Sequence, residues 1–98
     1  MEFQLEPRPR GAAISGNMTV YDASDLKQAL LAHTVAGQPV ELDLSQVHEI
    51  DTAGLQLLLL LQRRCGVRVV ACSPTVRGVL SLCHLDGLTA DATPEEAA

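Results

Sequence analysis

The stretch Asp51-Thr52-Ala53-Gly54 holds the residues best suited to chemistry. It stands directly before LQLLLLLQRR, a run of strong helix formers that ends in two arginines. At a helix start Asp51 is a fit N-cap. Thr52 then takes the first helical position, with its hydroxyl near the helix mouth. The first N–H groups of a helix lack intrahelical partners and favour an anion. A phosphate on Thr52 would be held in part by those groups, and would add about −1.5 to −2 charge beside Asp51. Ala53 and Gly54 carry little or no side chain, so another surface could approach the backbone there. The pattern suits a charge switch at an interface. On spacing alone the plainer account is structural: Asp-Thr is a common N-cap pair, and the glycine permits close packing.

Other chemistries find less support. His33, His48 and His84 have no Cys or carboxylate at metal-ligand spacing, so neither a metal nor a cofactor is expected. Cys65, Cys72 and Cys83 are not spaced as a C-x-x-C pair and read as small core hydrophobes, reduced in a cytosolic setting. There is no nucleophile elbow and no phosphate-binding loop of the G-x-x-x-x-G-K type, so the chain is not expected to be an enzyme.

The elements that must position Thr52 follow from periodicity. Glu2 to Glu6 reads as a short strand with Phe3 and Leu5 on one face, punctuated by Pro7, Pro9 and Gly11. Ala12 to Ser15 reads as a second strand, closed by the turn pair Gly16-Asn17. Asp22 is the expected N-cap of a helix that buries Leu26, Ala29, Leu30 and His33 and stops by Gly37-Gln38-Pro39. Val40, Leu42 and Leu44 alternate with Glu41 and Asp43, which makes a strand. Ser45 to Glu49 is a short connection, with Ile50 closing it. The Leu-rich helix follows and stops at Gly66. Val67 to Cys72 is a β-branched strand. Ser73 and Pro74 cap and open a last helix with Val76, Val79, Leu80 and Cys83 inward and Gly87 as its stop. The order is β-β-α-β-α-β-α, which predicts an α/β sheet with parallel pairs and a crossover unit from Val40 through Cys72. Helix-opening turns of such a sheet share one edge, so the turns at Asp22, Asp51 and Ser73-Pro74 should meet there.

Ninety-eight residues, 47% hydrophobic and 19% charged, make one folded domain over 1–98, with a polar tail at about 89–98. With one Phe, one Tyr and no Trp, the core must be aliphatic and platforms for stacking bases are lacking. The net charge of −5 leaves no basic footprint for nucleic acid; Arg63, Arg64 and Arg68 read as a solvated face. The start lacks a signal peptide's basic n-region and apolar h-region, and the longest apolar run, Leu57 to Leu61, is far short of the ~20 residues of a membrane span. A cytoplasmic protein is therefore expected. Five consecutive leucines exceed one helical stripe. The preferred reading buries both sides of that helix, and the alternative is an apolar flank covered by a partner.

The stretch ELDLSQVHEIDTAGLQLLLLLQRR resembles the core of the STAS domain: a strand, a D-L-S-x-V turn, then Asp, Ser or Thr, any residue, Gly and Leu opening a leucine-rich helix. SPTVRGVLSLCHLDGL resembles the helix that follows in that family. The two stretches cover residues 40 to 88 in the correct order. The resemblance implies a small mixed, partly parallel sheet flanked by helices, and a role as an anti-sigma-factor antagonist. Such proteins bind an anti-sigma serine/threonine kinase when unphosphorylated and release it when phosphorylated on the residue after the motif Asp, here Thr52. The acceptor is Thr where sporulation-type members carry Ser. Short members with this motif also serve chemosensory systems or ABC-type phospholipid transporters, where the domain binds the ATPase subunit. The expected docking residues are Asp51, Thr52, Ala53, Gly54, Asp22, Ser73 and Pro74.

Overall fold

In the computed structural model residues 3–88 are described. Four strands form one sheet in the order β1-β2-β3-β4. Strand β1 is Phe3–Arg8, β2 is Gly11–Met18, β3 is Val40–Ile50 and β4 is Val67–Cys72. The first pair is antiparallel, joined by a turn at Pro9-Arg10, and the other two pairs are parallel. Helix α1 (Ala23–Ala32) links β2 to β3, α2 (Thr52–Arg64) links β3 to β4, and α3 (Pro74–Leu82) follows β4, with a 3-10 turn at Asp86–Leu88. This is the α/β sheet and the element order expected from the alternation of strands and helices.

The core explains the order. Val40, Leu42 and Leu44 of β3, Ala12 and Ile14 of β2, and Val67 and Val69 of β4 are buried at alternate positions. They join Leu26 and Leu30 of α1, Leu57, Leu58 and Leu61 of α2, and Val76 and Leu80 of α3 in a single cluster. Each strand presents one apolar row. Glu41 and Asp43 lie on the opposite row, where Asp43 accepts the Ser45 hydroxyl at 2.6 Å and the Ser45 amide at 2.9 Å. Those bonds, first the hydroxyl and then the amide, hold the Asp43 carboxyl below its ordinary value of 3.8; Arg8 adds to the shift and burial opposes it.

Several local expectations need correction. Gly16-Asn17 does not end β2. Gly16 sits at a φ of 92° inside the strand, next to a register shift, and pairing continues to Met18 opposite Ile50. A bulge at a glycine carries the strand past what reads as a turn. Likewise Ser45 to Glu49 is strand rather than connection, because β2 supplies its partners: Ser15 faces Gln46, Gly16 faces Val47 and Asn17 faces Glu49. His33 is an exposed C-cap of α1, its ring against the Ala29 carbonyl at 2.8 Å. Cys83 caps α3 and is exposed, whereas Cys65 is buried and Cys72 half-buried. The backbone reversal after α3 falls on His84, at a φ of 58°, and Gly87 lies in the 3-10 turn. In the leucine run Leu57, Leu58 and Leu61 are buried, but Leu59 and Leu60 are 40% and 37% exposed, so the helix is not covered on both sides. The tail at 89–98 lies outside the described residues. No helix among them is long and apolar enough to cross a membrane.

Candidate functional site

The site begins where β2 and β3 end. Both are parallel, and Met18 pairs with Ile50, so the residues that follow leave the sheet side by side. Asp51 turns out of β3 with extended backbone and opens α2. Its amide donates to the Met18 carbonyl at 3.2 Å. Its Oδ1 accepts the amides of Ala53 at 2.9 Å and Gly54 at 3.3 Å. Its Oδ2 accepts the amide of Val20, from the loop after β2, at 2.9 Å. The carboxylate thus satisfies two of the unpartnered donors of the helix start and one donor of a neighbouring loop.

Thr52 occupies the first helical position and is exposed. Its surroundings differ from the sequence expectation in one respect. The Ala53 and Gly54 amides, which a phosphate at the helix mouth would seek, are already held by Asp51. Gly54 also answers to the inside of the molecule: it is buried, and a Cβ on it would lie 2.3 Å from the Met18 carbonyl oxygen. The close approach that this glycine allows is that of β2 to α2. Ala53 is half-buried behind Thr52.

Asp22 takes the N-cap position of α1 and is buried, but its side chain makes no cap hydrogen bond to that helix. The loop is closed instead by the Asp22 amide on the Thr19 carbonyl at 3.0 Å. Ser73 caps α3 through the Val76 amide at 3.3 Å, and its hydroxyl donates to the Val47 carbonyl at 2.7 Å. That second bond sets the start of α3 beside the middle of the long β3, four residues short of Asp51.

An open concavity of about 630 Å³ joins these turns. Asp22 and Asp51 line it, with Tyr21, Asn17 and Thr19 from the β2 side and His48 and Glu49 from the end of β3. From α3 the lining residue is Thr75, rather than Ser73 or Pro74. The sheet edge therefore brings Asp22 and Asp51 together, with Thr52 the next residue along α2, and holds Ser73 and Pro74 one step back. Thr75, Tyr21 and Glu49 carried no sequence signal; only the parallel registers, which set how far β3 outruns β4, place them here. The carboxylates of Asp22, Glu49 and Asp51 make the rim acidic. Among the described residues no group of three His, Cys, Asp or Glu side chains is placed to hold a metal ion.

Comparison with known proteins agrees with this architecture. The family described as "Mlab, STAS domain" matches residues 1–90. No curated protein gives a match. The anti-sigma factor antagonist SpoIIAA in its unphosphorylated form superposes with a TM-score of 0.69 at 24% identity, over 97% of this chain and 91% of that one. That likeness is one of fold. An anti-sigma factor antagonist from Mycobacterium paratuberculosis superposes with a TM-score of 0.71 at 25% identity, over 97% of this chain and 89% of the other. The family match runs through both of the stretches that carried the sequence resemblance and on through β1, β2 and α1: the chain belongs to the STAS-domain family.

Proposed function

We propose that the chain is a non-enzymatic, cytoplasmic regulatory module that docks a nucleotide-binding kinase or ATPase through the edge of the sheet at Asp51–Gly54, and that phosphate on Thr52 turns the docking off. The observation that carries the reading is the placement of Thr52: an exposed residue at a helix mouth, directly after the capping Asp51, which lines the concavity. In the transfer, a base of the kinase takes the Thr52 proton, the γ-phosphoryl group passes from ATP to Oγ, and ADP leaves. Asp22 and Thr75 extend the docking surface around the concavity, and Ser73 and Pro74 support it from behind. Gly54 contributes by seating α2 against β2. The likeness to anti-sigma factor antagonists supports an anti-sigma kinase as the partner.

A second reading is favoured by the description of the matching family. There the chain is the STAS subunit of an ABC-type phospholipid transporter, it binds the ATPase subunit, and Thr52 is a contact that never carries phosphate. Phosphosite mapping of the chain purified from its native cell separates the two. Phosphothreonine at Thr52, abolished in Thr52→Val, supports the switch. Its absence from every growth condition, with an ABC ATPase co-purifying, supports the transporter subunit and sinks the switch.

A further inference from the structure

Asp51 divides its carboxylate between two segments of the chain. Oδ1 accepts the Ala53 and Gly54 amides of α2, and Oδ2 accepts the Val20 amide at 2.9 Å, from a loop 31 residues earlier. That loop carries Val20 and Tyr21, which are 62% and 91% exposed. In a chain with one Tyr, one Phe and no Trp, an aromatic left almost bare on the rim of the concavity is suited to anchor a partner. We infer that Asp51 is a positioning residue that couples charge at Thr52 to the placement of Val20 and Tyr21. The inference rests on the reading of Thr52 as a phosphate acceptor.

The coupling follows from the sharing of donors. A phosphate on Thr52 stands on the residue next to a carboxylate, and the two anions repel. The donors that a phosphate seeks at the helix mouth are the ones Oδ1 holds. The phosphate takes them only as Asp51 turns away. Turning Asp51 moves Oδ2 as well, and the Val20 amide loses its acceptor. The first turn of α2 cannot yield towards β2, because Gly54 already lies against the Met18 carbonyl. One modification therefore alters the docking surface twice: at Thr52 directly, and at Val20-Tyr21 through Asp51.

Asp51→Asn separates the two roles. Asn caps a helix as well as Asp, so its oxygen keeps the Ala53 and Gly54 amides, while its NH2 faces Val20 and cannot accept. Amide hydrogen exchange of Val20 is the readout, with Tyr21 fluorescence anisotropy as a second, since no other Tyr or Trp contributes. Exchange at Val20 should rise about tenfold or more in Asp51→Asn, with the amides of α2 still protected. Thr52→Glu should raise it in the same direction, and the double variant should be no faster than the faster single one. An unchanged Val20 rate in Asp51→Asn overturns the tie. A rise there with none in Thr52→Glu, or effects that multiply in the double variant, overturns the coupling. Thr52→Glu retains the aspartate at position 51, so its Val20 rate decides the coupling even where Asp51→Asn folds poorly. Failure of the phosphorylation reading shows elsewhere, as native protein without phosphothreonine, and leaves these exchange rates as they are.

Discussion

Gly54 meets β2 so closely that a Cβ on it would lie 2.3 Å from the Met18 carbonyl oxygen and 2.9 Å from Ile50 Cγ1. The oxygen belongs to the backbone and cannot step aside. Gly54→Ala should therefore force α2 away from the sheet and cost about 1–3 kcal/mol. Gly78, in the exposed middle of α3, has nothing within 4 Å of an added Cβ, and Gly78→Ala should stabilise by about 0.4–1 kcal/mol. Urea midpoints of the two variants check the contrast. Equal shifts would show that the closeness of Gly54 to Met18 is not what demands a glycine there.

The leucine run makes a second contrast between neighbours. Leu58 is fully buried between α2 and the sheet, and Leu59 is 40% exposed. Leu58→Ala should cost about 2–5 kcal/mol. Leu59→Ala should stay within about 0.5 kcal/mol. Denaturant titration of each measures both. A large loss at Leu59 would mean that a second copy or another element covers that flank.

Asp43 gives a pH dependence with a definite sign. Its carboxyl is held low chiefly by the Ser45 hydroxyl and then the Ser45 amide. A group whose folded value lies below its unfolded one adds stability above the unfolded value, near 3.8, and that stability fades as pH falls through the folded value. Ser45→Ala should accordingly lower the unfolding midpoint at about pH 7 and lose its effect once Asp43 is protonated in both states. A loss of the same size in acid would assign it to packing instead.

Parts of this arrangement were open to reading from the residues. Val40, Leu42 and Leu44 announced a strand because one face of the sheet is buried and the other is not. Asp51-Thr52 announced a helix start because capping is local. The end of β3 was not legible: Gln46, His48 and Glu49 are polar, and what makes them strand is the backbone of β2, paired through a bulge. The bond from Val20 to Asp51 was equally out of reach, since it joins residues far apart in the chain through a backbone amide that any residue but proline would supply. Thr75 displaced Ser73 and Pro74 on the rim because the Ser73 hydroxyl is drawn to the Val47 carbonyl, a contact fixed by sheet register and not by spacing.

The central claim is that negative charge at Thr52 undoes docking without undoing the fold. The partner is identified by mass spectrometry after capture from the native cell and purified, and its affinity for the wild-type chain and for Thr52→Glu is measured by calorimetry. Thermal unfolding of both chains is recorded alongside. The account predicts an affinity at least tenfold weaker for Thr52→Glu, about 1.4 kcal/mol, with the unfolding transition little changed. Equal affinities for the two chains would contradict it.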